Sequence, residues 1–447
     1  MNTRLRQHLR ATASLALPVA IGQLGHVMLG VTDSLMVGRL GHVPLASASL
    51  GNSVFILILV LAIGLASAIT PLTAIARGED DHEQAGIVLR QGLLLNSIVG
   101  VILVASTILL SNILPYLNQP SDVVERAIPY LRIMGFSFFP MMVFVSFRNF
   151  IEGLSFTRPA MVIILLANLV NVGGNWVFIY GNLGMPALGL NGAGYSSLCV
   201  EVFAAIAIVI YVFRSPRFRR YQPLLEFRSF NIPMQIRLLR IGVPSGVQYF
   251  FEAGSFSFSA IMLGWLGATA LAAHQIAISL ASISFMITLG VSHAATIRVG
   301  HAMGQKDRGL VRQAGFSAVI LAIGLMSTAA LTFILFSDFL PTLYISDAEV
   351  IPLASTLLIL AAAFQLSDGL QVVGHGLLRG MTDVTVPMFI AIVAYWIIGL
   401  PLGYFFGFVV ELGAPGVWMG FVAGLSTAAG AFLFRFHRQS RRLFTSR

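Results

Sequence analysis

The amino-acid sequence predicts an all-α polytopic membrane protein, with twelve transmembrane helices in two six-helix lobes related by a parallel internal repeat. Three observations support this prediction: an apolar composition, twelve long apolar stretches, and a repeat between the two halves. The 447 residues are 57% hydrophobic and only 10% charged, with a mean hydropathy of +0.86. Soluble chains average about 45–50% apolar and about 25% charged residues, so a water-soluble fold is excluded.

Apolar stretches define the predicted helices. They lie near residues 12–38, 45–76, 91–114, 127–147, 159–180, 193–213, 241–266, 270–297, 313–337, 350–378, 386–410 and 414–434. Most are long enough, at about 1.5 Å per residue, to cross about 30 Å of hydrocarbon. The run after Arg4, Arg6 and Arg10 is too long for a signal peptide and lacks a clear cleavage site, so we interpret it as the first permanent span.

The basic residues predict the orientation in the membrane. Of the 27 Lys and Arg residues, only Arg39, Arg126 and Arg132 lie in or beside loops after odd-numbered helices. The positive-inside rule then places both termini in the cytoplasm, and we expect a multi-pass protein of the plasma (inner) membrane. An arginine-rich segment, residues 214–240, is predicted to be a cytoplasmic linker between lobes of residues 1–213 and 241–447. No nucleic-acid-binding module accompanies it, so we expect contact with anionic lipids and no nucleic-acid partner.

The two halves of the sequence repeat. Placing Pro18 on Pro244, 226 residues apart, gives one gapless register over about sixty residues. This register pairs Met36 with Met262, Gly38 with Gly264, Gly41 with Gly267, Leu45 with Leu271, Gly64 with Gly290, Thr70 with Thr296, Gly78 with Gly304 and Asp81 with Asp307. Small shifts place Gly153 on Gly380 and Leu188, Gly189 and Gly192 on Leu412, Gly413 and Gly416. Six spans per half give both repeats the same orientation, as in parallel-repeat transporters, and predict a substrate site between the lobes near mid-membrane.

Four acidic residues lie inside predicted spans, where an unpaired charge costs at least about 3 kcal/mol. They are Asp33 in helix one, Glu201 in helix six, Glu252 in helix seven and Asp368 in helix ten. We interpret Asp33, Glu252 and Asp368 as functional candidates. For Glu201, a purely structural hydrogen bond is an equally good interpretation.

Polar residues accompany Asp33 at helical spacing. His26 lies seven residues before Asp33, hence on the same face of helix one, and Gln23 lies one turn before His26. Helix five carries a stripe of amides at i, i+3 and i+7, formed by Asn168, Asn171 and Asn175. A carboxylate with amide and hydroxyl oxygens suits sodium, whereas a carboxylate alone can bind a proton. The stripe is equally compatible with ordinary hydrogen bonding between helices.

Motifs of catalysis and metal binding are missing from the sequence. It has no HExxH, no GxSxG and no P-loop. His274 and Gln275 alone make a poor metal site. Cys199 is the single cysteine, and we expect it to be a small buried apolar residue. We predict a protein that is not an enzyme, has no cofactor and no metal site, and is driven by an ion gradient.

Several motifs resemble the multidrug and toxic compound extrusion (MATE) family, in its NorM-like branch. They are Pro18, Gly30 to Gly38, Asn171 to Trp176, Phe251-Glu252, Ala272 to Gln275, Arg298 to Gly300 and Leu378 to Gly380. The resemblance covers essentially the whole chain. It implies a twelve-helix antiporter that expels amphipathic, often cationic compounds against inward sodium or proton flow.

The resemblance also implies roles for individual residues. Asp33, Glu252 and Asp368 match the family's acidic positions in helices one, seven and ten. Asn171, Asn175 and Ser197 match polar positions in helices five and six, while Glu201 matches none. Some family members have an aspartate where this chain has Asn175, which gives this amino-terminal cavity one carboxylate fewer and favours a coupling site on Glu252 and Asp368.

These observations predict a secondary active efflux protein that works by alternating access, with Pro18 and Pro244 as hinges. The expected partners are small amphipathic or cationic substrates and membrane lipids, and the expected state is a monomer. A channel is a weaker interpretation, because tandem lobes with unequal sets of buried acids suit alternating access better. The alternative closest in class is a flippase for lipid or polyprenyl-linked precursors. Such a flippase usually has a more cationic cavity, whereas the central charges found here are acidic.

Overall fold

The structure, a computed structural model, describes residues 3–221 and 230–444, and all regular elements within these ranges are helical. The twelve long helices are α1 (Thr3–Gly38), α2 (His42–Gly78), α3 (His82–Ser111), α4 (Ser121–Gly153), α5 (Arg158–Phe178), α6 (Leu190–Arg214), α7 (Ile232–Trp265), α8 (Ala268–Gly304), α9 (Arg308–Leu335), α10 (Val350–Gly380), α11 (Thr385–Val409) and α12 (Ala414–Arg442). Eleven of these are long and apolar enough to cross a membrane, and the remaining helix is the 34-residue α7. The predicted all-α polytopic class is confirmed.

Two aspartates paired by the repeat, Asp81 and Asp307, cap the amino-terminal ends of equivalent helices. Asp81 begins α3 by accepting a hydrogen bond from the Gln84 backbone N–H at 2.8 Å. Asp307 begins α9 in the same way, with Leu310 at 3.0 Å. A side-chain acceptor at this position satisfies one of the free N–H groups of the first helical turn. The repeat is therefore visible in how these helices begin.

A second repeated pair of residues forms the turns before α2 and α8. Gly41 and Gly267 have φ angles of +113° and +112°. Residues with a Cβ atom rarely adopt this backbone conformation, so glycine suits both positions.

Three of the long helices are interrupted. Backbone turns break α2 at Ser67 and Ala68 and α4 at Ser137. In α11, the segments Val393–Gly399 and Phe405–Val409 are π-helical. A π segment changes the direction in which the following side chains point and is frequent at functional sites. It places Tyr395 in the carboxyl-terminal site described below.

The chain forms two compact units, one of residues 1–20 and 247–447 and the other of residues 21–246. The boundaries fall inside α1 and α7, so each of these helices contributes to both units. The division predicted from the sequence placed residues 1–20 with the amino-terminal half and residues 241–246 with the carboxyl-terminal half. Pro18 and Pro244 lie inside α1 and α7, each two residues before a boundary.

The predicted linker is shorter in the structure than in the sequence analysis. Residues Pro216–Tyr221 form a 3-10 helix, and α7 begins at Ile232, within the predicted linker of residues 214–240. Residues 222–229 of the linker lie outside the described residues.

Cys199 corrects one expectation, because its side chain is exposed on α6 and not buried. The outer surface of a membrane protein is as apolar as its interior, so a small apolar residue gains little from burial there.

Candidate functional site

Asp33 lies at the centre of a hydrogen-bonded cluster in the unit of residues 21–246. Its Oδ1 accepts hydrogen bonds from the side-chain amides of Asn171 at 2.8 Å and Asn175 at 2.6 Å. Its Oδ2 accepts one from the Ser197 hydroxyl at 3.1 Å. The structure thus brings together four of the residues predicted from the sequence, from α1, α5 and α6.

The described residues that donate to Asp33 are all electrically neutral, so the cluster satisfies the carboxylate without compensating its charge. Both asparagines are fully buried, and the Asn175 Oδ1 has no hydrogen-bond partner among the described residues. A carboxylate with neutral polar neighbours can take up a proton or a cation, since either would supply the missing positive charge.

The amide stripe of α5 makes two kinds of hydrogen bond. Asn168 donates to the Gly25 backbone carbonyl of α1 at 3.1 Å, which is an ordinary bond between helices. Asn171 and Asn175, one and two turns later, donate to Asp33. Position along the helix decides the role, because only these two residues lie level with the carboxyl group.

His26 and Gln23 are half-buried on α1 and form no hydrogen bond with Asp33. Seven residues of helix separate His26 from Asp33, which is about 10 Å along the axis. The electrostatic neighbour of His26 is Arg148 of α4. The structure therefore assigns His26 to a different polar group.

That group contains an ion pair that sequence reasoning missed. Arg148 Nε donates to Glu152 Oε1 at 2.9 Å, and the two side chains are only 9% and 2% exposed. Opposite charges at i and i+4 in an apolar run were the available signal. Such a pair partly compensates its own burial, so it differs from the three lone carboxyls predicted to be functional.

Glu252 of α7 and Asp368 of α10 form the second predicted site, in the unit of residues 1–20 and 247–447. The carboxyl group of Glu252 lies close enough to act electrostatically on that of Asp368. Gln371 Nε2 lies 3.4 Å from Glu252 Oε1, and the buried hydroxyl of Tyr395 lies beside Gln371. Asp368 is 2% exposed.

Gln371 and Tyr395 were absent from the sequence-based site. Gln371 could have been found, because it follows Asp368 by one helical turn. Tyr395 could not, because it enters the site through the π segment of α11, and sequence spacing assumes regular helices.

Two other residues singled out in the sequence lie outside these clusters. Glu201 is half-buried one turn after Ser197 on α6. His274 is 3% exposed and packs against the rings of Trp418 and Phe421, with centroid separations of 5.7 and 6.4 Å. The packing of His274 is that of an aromatic core residue.

The fold and its buried carboxyl groups define a polytopic membrane protein with repeated halves, of the kind found among secondary transporters. The MatE family model matches residues 18–177 and 244–405, one segment in each half, and the chain belongs to this family.

Similar proteins extend over nearly the whole chain. A probable multidrug resistance protein NorM of Rhodopseudomonas palustris is 37% identical, covering 98% of this chain and 93% of that protein. A probable multidrug resistance protein NorM of Rhizobium meliloti is 34% identical, covering 98% and 94%. Among solved structures, the outward-facing conformation of a multidrug resistance MATE family transporter aligns with a TM-score of 0.89 at 23% identity, covering 98% and 96%.

Proposed function

We propose that this protein is a secondary active multidrug efflux antiporter. It exports amphipathic, often cationic compounds in exchange for inward Na⁺ or H⁺ by alternating access. Membership of the MatE family supports this proposal, as do the full-length relatives named for multidrug resistance. The coupling ion is cargo of the transport cycle, and no resident metal or cofactor is part of the proposal.

The observation that carries the proposal is the Asp33 cluster. A carboxylate held only by neutral donors attracts a cationic compound, a sodium ion or a proton, but it cannot neutralise two of them at once. Occupation of Asp33 by the coupling ion therefore favours release of cationic cargo. This competition is a coupling free energy between two ligands, which an antiporter requires.

Glu252 and Asp368 offer a second place for the coupling ion. Two neighbouring carboxyl groups repel each other when both are ionised, and one proton or one sodium ion between them removes the repulsion. Gln371 and Tyr395 add polar oxygens to the same place. An ion that binds one conformation better than the other shifts the equilibrium between them.

The proposal includes a location and a set of partners. The chain is a multi-pass membrane protein. We propose that it lies in the plasma (inner) membrane with both termini cytoplasmic, because the arginines gather in the termini and the even-numbered loops. Its partners are small amphipathic or cationic substrates and membrane lipids, and it works as a monomer.

Transport by the purified full-length protein in proteoliposomes tests this proposal. Efflux of a cationic dye such as ethidium is measured under a sodium gradient alone, under a pH gradient alone and under neither. We expect dye movement against its concentration gradient under at least one of the two gradients. Gradient-independent dye movement would contradict antiport, and transbilayer movement of a labelled polyprenyl phosphate without dye export would favour the flippase alternative.

A further inference from the structure

A stripe of buried polar side chains extends along α10 from the carboxyl-terminal site to the end of the helix. Its members are Asp368, Gln371, His375 and Arg379, which are 2%, 1%, 4% and 2% exposed. Their spacing of three, four and four residues places them on one face of the helix, over about 16 Å. The stripe ends next to Gly380, where α10 ends.

Helix α7 lines the stripe with two polar side chains. Glu252 lies within 3.4 Å of Gln371, as described above. One turn earlier, the Tyr249 hydroxyl accepts a hydrogen bond from Arg379 Nη1 at 2.7 Å, and the Tyr249 ring meets the edge of His375 at a centroid separation of 5.6 Å. The stripe and these two side chains line one face of α10, and we call this set of polar residues the α10 column.

Arg379 is a buried cation whose hydrogen bonds within the described chain all go to hydroxyl groups. Besides Tyr249, it donates from Nε and Nη2 to the Thr296 hydroxyl of α8, at 3.4 and 3.3 Å. A guanidinium keeps its protons in proteins, so Arg379 can hold neighbours in place but cannot pass a proton on.

Between the two acids and the end of α10, His375 is the member of the α10 column with a basic nitrogen that can both accept and release a proton near neutral pH. Its Nε2 is buried and has no hydrogen-bond partner among the described residues. The groups that surround the ring are Tyr249 from α7, Phe432 from α12 and Arg379 from its own helix. Asp368 and Glu252 are the acids farther along the column. What distinguishes this nitrogen is its place: it is a free proton acceptor that lies between the acids and the end of α10.

The equivalent positions in the amino-terminal half hold two side chains that pair with each other. The register that pairs Gly153 with Gly380 also pairs Arg148 with His375 and Glu152 with Arg379. In α4, the two positions hold the Arg148–Glu152 ion pair. In α10, the same two positions hold an imidazole and a cation, which cannot form such a pair. The unpaired imidazole nitrogen of His375 is thus specific to the carboxyl-terminal half.

We infer that the α10 column is the route by which a proton leaves the Glu252 and Asp368 site, with His375 as its acceptor. This inference rests on the proposed antiport and adds that the proton is a coupling ion. The column ends at the side where the arginines of the chain gather, which is the cytoplasmic side by the positive-inside rule. Release of the proton at this end agrees with the inward flow of the coupling ion in the proposed antiport.

Water is the one other participant in the transfer. A carboxyl O–H bond breaks, its oxygen keeps the electron pair as carboxylate, and an N–H bond forms at His375 Nε2. An N–H bond of the resulting imidazolium then breaks, and the proton passes to water at the helix end. About 10 Å along the helix axis separates Asp368 from His375, which is too far for a direct transfer, so the inferred route requires water molecules beside Gln371.

His375→Gln tests the inference in full-length protein reconstituted in proteoliposomes. Glutamine keeps hydrogen-bonding capacity but cannot carry a proton. We expect ethidium export driven by a pH gradient to fall at least tenfold, and export driven by a sodium gradient, where present, to stay within about twofold. The matched control His274→Gln replaces another buried histidine that lies outside the column, and we expect both rates to stay within about twofold.

A second variant separates proton transfer from packing. His375→Ala leaves space for a five-membered ring, and we expect added imidazole to restore pH-driven export by severalfold, while pyrrole, a ring of the same size without a basic nitrogen, restores none. Equal rescue by both rings would overturn the inference and assign His375 to packing.

The remaining outcomes distinguish the inference from the proposed function. Wild-type export driven by sodium but not by a pH gradient would overturn the inference alone, as would a His375→Gln variant that retains wild-type pH-driven export. Wild-type protein driven by neither gradient would overturn the proposed antiport itself.

Discussion

Gly64 of α2 lies against Gly246 of α7, so closely that a Cβ atom on Gly64 would be 2.2 Å from the Cα atom of Gly246. Its repeat counterpart Gly290 of α8 lies against α1, where a Cβ atom would be 2.7 Å from the Ala16 carbonyl oxygen. The glycines matched by the repeat therefore mark equivalent helix contacts. Each contact holds a segment of α1 or α7 within the unit to which that segment belongs.

Gly64→Ala should strongly destabilise the folded protein. The added methyl group would overlap backbone atoms of α7, which cannot move aside as a flexible side chain could. We expect a loss of about 1–3 kcal/mol, the scale of overpacking in a rigid core, which would appear as a fall in the melting temperature of the detergent-purified protein. Gly324→Ala of α9 is the matched control, because nothing lies within 4 Å of its Cβ position. Equal melting temperatures of the two variants would contradict the close contact.

Asp33→Asn should abolish coupled export without unfolding the protein. The substitution keeps the shape and an acceptor oxygen for Asn171 and Asn175, but it removes the charge for which cargo and coupling ion compete. We expect the initial rate of gradient-driven dye export to fall at least tenfold with unchanged elution from a size-exclusion column. Asp338→Asn, at an exposed position after α9, controls for the loss of one negative charge. Export by Asp33→Asn at the wild-type rate would remove Asp33 from the coupling mechanism.

Glu252→Gln and Asp368→Asn should act on the same step. Because the two carboxyl groups interact, either replacement removes the repulsion that the coupling ion relieves. We expect each variant to lose gradient-driven export by at least tenfold, and the double variant to be little worse than either single one. Proteoliposomes with equal amounts of each variant provide the comparison. Losses that multiply strictly would indicate that the two carboxyl groups act at separate places.

Pro18→Ala should slow turnover more than it reduces folded protein. Proline inside α1 leaves one intrahelical hydrogen bond unmade, two residues before α1 passes from one compact unit to the other. Alanine restores that bond and stiffens the helix at this point. Turnover is measured as dye export per molecule of reconstituted protein, and the folded fraction by size-exclusion chromatography. Parallel losses of turnover and folded protein would mean that the proline is only structural.

Features that depend on one helix at a time could be predicted from the sequence. All twelve long helices overlap the predicted stretches, because the apolar character of a helix that crosses a membrane is a property of its own residues. The Asp33 cluster also followed from the sequence, through helical spacing within α1 and α5 and the resemblance in α6.

The sequence by itself determined that this protein lies in a membrane, where its helices are, that its two halves repeat and which carboxyl groups are worth testing. Only the tertiary structure decided which side chains meet: Tyr395 beside Gln371, Tyr249 on Arg379, and His26 near Arg148 and not Asp33. The tertiary structure also decided that the side chain of Cys199 is exposed. The physical reason is that the rotation of a helix about its axis and its position along its neighbours depend on packing between helices, and apolar faces turned to lipid or to protein look alike in sequence.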